Sequence, residues 1–388
     1  MKHFGQMIRK AVLPVIWILP VFGILAGIGY ALCPAAMQGG AVATPANRIG
    51  WVLSRIASAV YDNRGFLTAV SAGYVLSGNR LTGALGALMG ILLYNSFSAS
   101  SAFVMFAPAV LEDPLNTLAL YGPSAVTGLL LGGTAAAVLR RTGTERRPLV
   151  TFAVLSFVLA ALAAVLIALR IVLFHGIAVI AEKLIPLGRS GTGLFVLLNR
   201  LLAPFDLHRP LNYVILGEGG AHDMNYFWGQ VTDSEYDPGK YMSGFFAPMM
   251  AGIPCACLFL AKRPSSGSGK FRIFLLLCAI SAFSCGLCEP FEYWLILASP
   301  LLYAGYSVLF GLSGWLSAYS GFRAGFACSG GMVDLIFSAA MPAARNAWLL
   351  IPLGALSGLL FFLLFRRFPA DKGSEFDIIE PNNWEEAK

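Results

Sequence analysis

Two glutamates lie beside a proline within an apolar stretch of the chain, residues 285–303, with the sequence CGLCEPFEYWLILASPLLY. A carboxylate at membrane depth costs at least about 2.5 kcal/mol, so Glu289 and Glu292 are expected to have a function there. Pro290 interrupts helical hydrogen bonding, which a bilayer tolerates only beside a protein-lined or watery cavity. The pattern is typical of the substrate site of a transporter, and the alternative is a loop at the membrane surface.

A second polar stretch lies upstream, at residues 198–223, LNRLLAPFDLHRPLNYVILGEGGAHD. A surface loop could hold any one of its ionisable residues, but their number and the break at Glu289 predict two polar re-entrant elements that meet at one site. Arginine can hydrogen-bond hydroxyls or an anion, histidine can transfer a proton, and a carboxylate can accept one from a hydroxyl. The ionisable residues are Arg200, Asp206, His208, Arg209, Glu218, His222 and Asp223.

The composition indicates the elements that must position these residues. Of the 388 residues, 57% are hydrophobic and 12% are charged, whereas about a quarter are charged in a soluble domain. Several apolar runs approach the roughly 20 residues that cross a bilayer as a helix. The chain is therefore predicted to be an all-α polytopic membrane protein.

The net charge of +7 does not indicate a nucleic-acid partner, because the basic residues cluster at the ends of apolar runs. This is the positive-inside pattern, and it predicts that both termini are cytoplasmic. The clusters are Lys2, Arg9 and Lys10; Arg140, Arg141, Arg146 and Arg147; Lys262, Arg263, Lys270 and Arg272; and Arg366 and Arg367.

Apolar runs predict helices, and the segments between them predict breaks. The region 95–123 is expected to be irregular, with a turn at Glu112-Asp113-Pro114. Residues 175–187 are expected to form an interfacial linker helix, 264–269 a flexible turn, and 369–388 a polar tail. The predicted helices are 11–32, 66–94 (broken around Gly78-Asn79-Arg80), 124–139, 149–174, 241–261, 271–287, 292–311 and 346–366.

Other motifs have simpler interpretations. The pairs Gly23/Gly27, Gly86/Gly90 and Gly128/Gly132 have the small-xxx-small spacing of closely packed membrane helices. The seven cysteines lie almost entirely in apolar segments, and Cys285 and Cys288 have no second pair or histidine at zinc spacing. No metal or cofactor is therefore expected. The chain also has no GxxxxGK[ST] motif, so no ATP site of the P-loop type is expected.

Several motifs occur in an order that closely resembles a known family. That family is the membrane component, enzyme IIC, of the glucose/maltose/N-acetylglucosamine branch of the bacterial phosphoenolpyruvate-dependent sugar phosphotransferase system, and the resemblance is strongest over about 195–340. The motifs are Asn199-Arg200-Leu201-Leu202, Pro204-Phe205, Leu207-His208, Ser243-Gly244-Phe245-Phe246-Ala247-Pro248-Met249-Met250, Gly252-Ile253-Pro254, Cys288-Glu289-Pro290-Phe291-Glu292-Tyr293, Pro300-Leu301-Leu302-Tyr303, Gly325-Phe326 and Ser329-Gly330-Gly331-Met332-Val333-Asp334.

The resemblance implies a homodimer in the bacterial cytoplasmic (inner) membrane, with about ten transmembrane helices and re-entrant hairpins. Residues 1–187, including the linker helix 175–187, would form the dimerisation half. Residues 188–368 would carry the sugar across by an elevator-like movement, and 369–388 would be a cytoplasmic tail without an enzyme IIB domain. The expected partners are the sugar, membrane lipid, a second copy of the chain and a separate enzyme IIB, without nucleic acid.

The resemblance also implies roles for individual residues. Glu289 corresponds to the family's glutamate that contacts the sugar near its reactive hydroxyl, and Arg200 and His208 correspond to its arginine and histidine. Glu289 and His208 are thus the expected catalytic residues, and Arg200, Glu289, His208 and Arg209 the expected substrate contacts. The alternative is that Glu289 and Arg200 merely neutralise each other in a buried pair.

Three residues depart from the family pattern. Cys288 stands where threonine is usual, Asp206 where glycine is usual and Arg209 where a second histidine is usual. The function implied is a sugar permease that presents a hexose-type sugar (glucose, maltose or N-acetylglucosamine in the family) for phosphorylation by the phosphocysteine of enzyme IIB. An uncoupled or proton-coupled sugar transporter using Glu289, Glu292 and Asp334, or a membrane sugar sensor, is the alternative.

Overall fold

The computed structural model describes residues 2–34, 44–142, 148–229, 236–263 and 269–367. Arg146, Arg147, most of the predicted turn 264–269 and the predicted tail 369–388 lie outside these residues. The described residues are nearly all helical and contain no strand, apart from an isolated antiparallel bridge between Arg323 and Arg345. The prediction of an all-α protein is therefore confirmed.

The α-helices are numbered here in chain order. They are α1 (Lys2–Leu32), α2 (Pro45–Tyr61), α3 (Arg64–Leu76), α4 (Leu81–Phe97), α5 (Ser100–Phe106), α6 (Pro114–Leu120), α7 (Ala125–Thr142), α8 (Pro148–Leu184), α9 (Gly188–Leu202), α10 (Arg209–Ile215), α11 (Asp223–Phe227), α12 (Ile253–Lys262), α13 (Gly269–Cys285), α14 (Glu289–Ala298), α15 (Pro300–Ser320), α16 (Met332–Ala339) and α17 (Leu350–Arg366). Short 3₁₀ or π turns lie at Pro108–Glu112, Ile185–Leu187, Ala203–Phe205, Ser243–Phe245, Pro248–Gly252 and Ala347–Leu349.

Within the described residues, five helical segments are long and apolar enough to cross a membrane, and up to seven if each of two bent helix pairs counts as one span. The bent pairs are α4 with α5 and α6 with α7. These segments are consistent with a multi-pass membrane protein, and the count of ten helices stays a prediction. The five segments are Gly5–Leu32, Pro148–Phe205, Ser243–Lys262, Pro300–Ser320 and Ala347–Arg366.

Several helices differ from the sequence-based expectation, among them α2, which was not predicted, and α12, which begins at Ile253 rather than near residue 241. Helix α8 continues without a break through His175 to Leu184, so residues 175–187 do not begin a separate helix, and their location at the membrane surface stays a prediction. The run expected to form one helix over 292–311 is divided at Ser299, because Pro300 cannot continue the hydrogen bonding of α14 and instead occupies the first turn of α15. The region 95–123, expected to be irregular, contains α5 and α6.

The chain forms two compact units. The first comprises Met1–Ile18, Ser58–Pro186 and Leu202–Ala221, and the second comprises Leu19–Ala57, Leu187–Leu201 and His222–Lys388. Residues 202–221 thus belong with the first unit. The dimerisation role of 1–187 and the transport role of 188–368 stay predictions.

In the first unit, α3 and α7 pack at very short range. A Cβ atom on Gly128 would lie 2.1 Å from the carbonyl oxygen of Gly65, and one on Gly132 would lie 2.4 Å from that of Ala69. The close packing predicted from this glycine pair is therefore confirmed. The core beside it consists of Ala69, Ala87, Ile91, Tyr94, Leu120, Leu131, Ala135, Leu139, Leu155, Leu159, Ala163 and Ile167.

In the second unit, aromatic rings join α14, α15 and α17. Phe291 of α14 lies 6.2 Å from Tyr306 of α15 and 5.6 Å from Phe365 of α17 between ring centroids, and Tyr306 lies 5.6 Å from Phe361 of α17. Such pairs contribute about 0.5–1.5 kcal/mol beyond the burial of their area. They give α14, which carries both glutamates, a fixed position against α15 and α17.

We expect Gly128→Ala to lower the free energy of unfolding by about 1–3 kcal/mol, because the added methyl group forces α7 away from α3. The matched control is Gly133→Ala in the same helix, where the nearest atom to the added carbon is 3.6 Å away. The control should be neutral or stabilising by up to about 1 kcal/mol, since alanine favours helix. Thermal unfolding in detergent measures both, and equal stability of the two variants would contradict the packing argument.

Candidate functional site

The glutamate-proline segment lies where one helix ends and another begins. Helix α13 ends at Cys285, and α14 begins at Glu289 with Pro290 in its first turn, where a helix needs no backbone N–H donor. The predicted break is therefore confirmed. Glu289 is half-buried at the amino end of α14, where the helix dipole favours negative charge.

A second loop closes on this break within the same unit. Gly286 has a φ of 72°, and a Cβ atom there would lie 2.7 Å from the backbone nitrogen of Gly330. Ser329 donates its hydroxyl hydrogen bond to the Gly286 carbonyl at 3.0 Å. The break thus requires glycine for both its backbone conformation and its close contact.

Asp334 fixes the loop that contacts the break. Its buried carboxylate accepts backbone hydrogen bonds from Ala327, Cys328 and Ser329 at 2.8, 3.2 and 3.0 Å, and a hydroxyl hydrogen bond from Tyr30 at 2.9 Å. Burial raises the pKa of Asp334, and these four donors oppose that rise. This environment assigns Asp334 a structural role.

Arg200 of α9 is buried and belongs to the second unit. Its Nη1 lies 3.2 Å from Oε1 of Glu292, and its Nη2 and Nε contact Oδ1 of Asn199 at 2.6 and 3.2 Å. The guanidinium lies over the rings of Phe245 and Phe310, at 5.2 and 5.7 Å from their centroids. These contacts fix the orientation of Arg200 within an aromatic cage.

Glu292 is the ion-pair partner of Arg200, a role that the sequence analysis missed. Its Oε1 also accepts hydrogen bonds from the Tyr306 hydroxyl at 2.8 Å and the Cys288 thiol at 3.4 Å. Its other oxygen, Oε2, is buried and has no hydrogen-bond partner among the described residues. The sequence indicated this pair only in general terms, because any buried carboxylate needs a cationic partner.

Cys288 completes the network. Its buried thiol contacts Nη1 of Arg200 at 3.2 Å as well as Glu292. A thiol is a weak hydrogen-bonding group, so the contact supplies less orientation than the hydroxyl of a threonine would. Cysteine thus replaces the family's usual threonine at the position whose side chain links Arg200 to Glu292.

Asp206 forms the polar centre of the first unit. Its carboxylate contacts Nη2 of Arg64 at 2.9 Å, Nη2 of Arg170 at 3.0 Å and Nε of Arg209 at 2.9 Å. Burial alone would raise the pKa of Asp206, but Arg64, Arg209, His208 and Arg170 together lower it below its ordinary value. The carboxylate is therefore held ionised.

The backbone at Asp206 has a φ of 61°, in the left-handed region that glycine and aspartate tolerate best. This turn follows the 3₁₀ segment Ala203–Phe205 and precedes α10, so it places His208 and Arg209 at the start of that helix. His208 is half-buried. The departure from glycine at 206 is thus compatible with the backbone.

Asp223 is a further buried carboxylate of the polar stretch. It accepts backbone hydrogen bonds from Gly239 at 2.9 Å and Tyr241 at 3.1 Å, and one from the Tyr236 hydroxyl at 3.1 Å. Burial raises the pKa of Asp223 to about 6, against the lowering effect of these three donors. Its contacts tie α11 to the segment that follows, which is a structural role.

The structure brings Arg200, Cys288 and Glu292 together in the second unit, which also contains Glu289. His208 and Arg209 belong to the first unit with Asp206. The buried pair considered from the sequence was Arg200 with Glu289, whereas the ion pair observed is Arg200 with Glu292. The assembly of Arg200, His208 and Glu289 into one site stays a prediction.

The helical fold and the polar breaks within apolar helices are consistent with a multi-pass membrane protein. Residues 9–311 match the family model described as "Phosphotransferase system, EIIC", which is most of the chain. The chain therefore belongs to this family, and the resemblance drawn from its motifs is confirmed.

Known relatives agree with this assignment. The N-acetylglucosamine-specific EIICBA component of Klebsiella pneumoniae is 35% identical over 204 residues, covering 49% of this chain and 31% of the relative. The N-acetylglucosamine-specific EIICB component of Bacillus subtilis strain 168 is 35% identical over 192 residues, covering 47% and 41%. The glucose-specific EIICBA component of Staphylococcus carnosus strain TM300 is 26% identical over 408 residues, covering 94% and 59%. The chain thus matches less than two thirds of each relative's length.

We expect Asp206→Asn to destabilise the protein by about 3–5 kcal/mol, because it leaves three largely buried guanidinium groups without their shared carboxylate. Asp113→Asn is the matched control in the same unit. Its carboxylate is 42% exposed and caps α6, and asparagine caps a helix as well as aspartate does. Thermal unfolding of both variants should show a large loss for Asp206→Asn alone, and similar losses would contradict the proposed charge balance.

Proposed function

We propose that this chain is a sugar permease of the phosphotransferase system. In this proposal it binds a hexose-type sugar, moves it across the cytoplasmic membrane and presents it for phosphorylation. Membership of the EIIC family supports a role in the phosphotransferase system. The structural observation that carries it is the half-buried Glu289 at the first turn of α14, in the same unit as the ordered Arg200–Glu292 pair.

The proposed substrate is glucose, N-acetylglucosamine or a glucosyl disaccharide such as maltose. The names of the relatives, which are specific for N-acetylglucosamine or glucose, support this range. Sugar sites combine a few oriented hydrogen-bonding groups with aromatic surfaces. Arg200, held between Asn199 and Glu292 and against two phenylalanine rings, offers both kinds of contact.

The residue roles follow from the chemistry of phosphoryl transfer, which requires an in-line acceptor hydroxyl and neutralisation of the developing charge. In our proposal Glu289 accepts a hydrogen bond, and then the proton, from the acceptor hydroxyl. His208 orients that hydroxyl or meets the incoming phosphate, and Arg200 fixes the sugar. Arg209 contacts the phosphate. Glu292 and Cys288 act through Arg200, whose orientation they set.

The proposed phosphate donor is the phosphocysteine of a separate enzyme IIB, and the pair would act as a protein-phosphocysteine-sugar phosphotransferase. The seven cysteines of this chain are all buried or half-buried, which favours a donor cysteine outside these residues. We further propose a homodimer through residues 1–187, an elevator-like movement of 188–368 and cytoplasmic termini. The strongly exposed apolar side chains of α8, such as Phe157 and Val172, fit a surface covered by lipid or a second copy.

Proton coupling through buried acids is less well supported. Glu292 is paired with Arg200, and Asp334 accepts four hydrogen bonds, so both carboxylates are engaged in stabilising their own surroundings. The family match also favours phosphotransfer.

We expect Glu289→Gln to leave a folded protein whose rate of sugar phosphorylation falls about 10²–10⁴-fold, since the variant keeps the shape but loses the proton acceptor. The assay is formation of sugar phosphate by proteoliposomes supplied with phosphorylated enzyme IIB. Glu182→Gln, at an exposed position of α8, is the control and should keep the normal rate. A normal rate for Glu289→Gln would show that Glu289 is not the catalytic carboxylate.

Arg200→Lys should weaken sugar binding by about tenfold or more, because lysine keeps the charge but not the planar fork that spans Asn199 and Glu292. Equilibrium binding across a panel of glucose, N-acetylglucosamine and maltose measures this loss and identifies the preferred sugar. Unchanged affinity in the variant would exclude Arg200 from the sugar contacts. Failure of the wild type to bind any of the three would argue against the proposed substrate class.

A further inference from the structure

Glu292 receives all its contacts from the described residues on one of its two carboxylate oxygens. Its Oε1 lies 3.2 Å from Nη1 of Arg200, and accepts hydrogen bonds from the Tyr306 hydroxyl at 2.8 Å and the Cys288 thiol at 3.4 Å. Among the residues that the structure describes, none donates to Oε2, although this atom is buried. The distribution is uneven, because both oxygens of an ionised carboxylate share its charge and accept hydrogen bonds.

The orientation of Arg200 explains why Oε2 is left over. A guanidinium paired with a carboxylate often donates to both oxygens through two parallel N–H groups. Here Nη2 and Nε of Arg200 contact Oδ1 of Asn199 instead, at 2.6 and 3.2 Å, and only Nη1 reaches Glu292. The rings of Phe245 and Phe310 lie against the same guanidinium. The cation that balances Glu292 is therefore turned toward Asn199 and serves one carboxylate oxygen.

The environment of Oε2 indicates which kind of group it would bind. Glu292 is only 1% exposed, so bulk water does not hydrate its side chain freely. Buried polar atoms in folded proteins almost always have a hydrogen-bond partner, and one without such a partner calls for an explanation. Arg200 already balances the charge of Glu292, so a second cation is not required. The group that fits Oε2 is a neutral hydrogen-bond donor, such as a hydroxyl.

Glu292 also lies close to the residue proposed to contact the reactive part of the sugar. Glu289 and Glu292 are three residues apart in the first turn of α14. Side chains at this spacing are neighbours on one face of a helix, with Cβ atoms about 5–6 Å apart. Hydroxyls on one pyranose ring are separated by comparable distances. A sugar that offers one hydroxyl to Glu289 therefore has a second hydroxyl within reach of Glu292.

We propose that Oε2 of Glu292 accepts a hydrogen bond from a sugar hydroxyl other than the phosphoryl acceptor. Glu292 then determines specificity directly, in addition to orienting Arg200. The inference rests on the function proposed above, because it takes a sugar as the ligand. A hydroxyl that donates to a charged group should strengthen binding about 10–100-fold. An analogue that lacks this hydroxyl, or carries fluorine in its place, cannot donate and loses that factor.

The experiment measures equilibrium binding of sugar analogues to the full chain in nanodiscs. The panel contains monodeoxy and monodeoxyfluoro analogues, altered at C2, C3 or C4, of the sugar that wild type prefers. At one of these positions both the deoxy and the fluoro analogue should bind wild type about 10–100-fold more weakly than the parent sugar. Fluorine accepts but does not donate, so equal losses identify a hydroxyl that acts as a donor.

Glu292→Gln should remove most of this discrimination, because the amide is neutral and a hydrogen bond between neutral groups is weaker. The parent sugar and its analogue at the sensitive position should then differ by about fivefold or less. Tyr306→Phe is the matched control, since it removes a donor from Oε1 and leaves Oε2 in place. It should weaken binding of all the sugars by a similar factor and keep the discrimination of wild type.

Glu292→Asp guards against a folding defect in Glu292→Gln. It keeps the negative charge that balances Arg200, but withdraws both oxygens by the length of one methylene group. It should therefore also lose the discrimination at the sensitive position, and it replaces Glu292→Gln if that variant does not fold.

The possible failures are distinguishable. Wild type that binds the parent sugar but discriminates at none of the three positions would overturn this inference and leave the proposed function standing. So would discrimination as strong as that of wild type in Glu292→Gln or Glu292→Asp. Equal loss of discrimination in Tyr306→Phe would show that Glu292 acts only through Arg200. Failure of wild type to bind any hexose-type sugar would overturn the proposed function, and this inference with it.

Discussion

The need to compensate buried charge constrains this molecule most strongly. Within apolar helical units, Arg200 is matched by Glu292, and Arg64, Arg170 and Arg209 share Asp206. Removing one member of such a group leaves an uncompensated charge in a medium of low dielectric constant. The helices that carry these residues are therefore held together by electrostatics at a few points and by apolar packing along the rest of their length.

The buried carboxylates fall into two kinds with different consequences. Asp334 and Asp223 accept mainly backbone N–H groups, which fixes the path of the chain around each of them. Glu292 and Asp206 contact guanidinium groups instead, which fixes the direction of cationic side chains. The first kind shapes loops, and the second kind orients guanidinium groups within the helical units. Glu289 differs from all four, because it is only half-buried.

The sequence predicted the local features of the fold better than its long-range contacts. Apolar runs predicted α1, α7 and α17, and the glycine-proline chemistry predicted the breaks near Asn79 and before Glu289. Helix α2 was missed because its polar residues interrupt the apolar run. The partners of Asp206 could not be predicted, since Arg64 lies 142 residues away and Arg170 lies 36 residues away. An ionisable residue within an apolar stretch indicates that a charged partner is needed. Tertiary packing determines which residue is that partner.

The left-handed backbone conformation at Asp206 has a consequence for how this region could have changed during divergence from its family. A glycine at this position would adopt a φ of 61° at least as easily as aspartate does, so exchange between the two has no conformational barrier. The selective pressure on position 206 would then come from the arginines around it. Aspartate can be gained or lost there only in step with Arg64, Arg170 and Arg209, so the four positions should vary together among relatives.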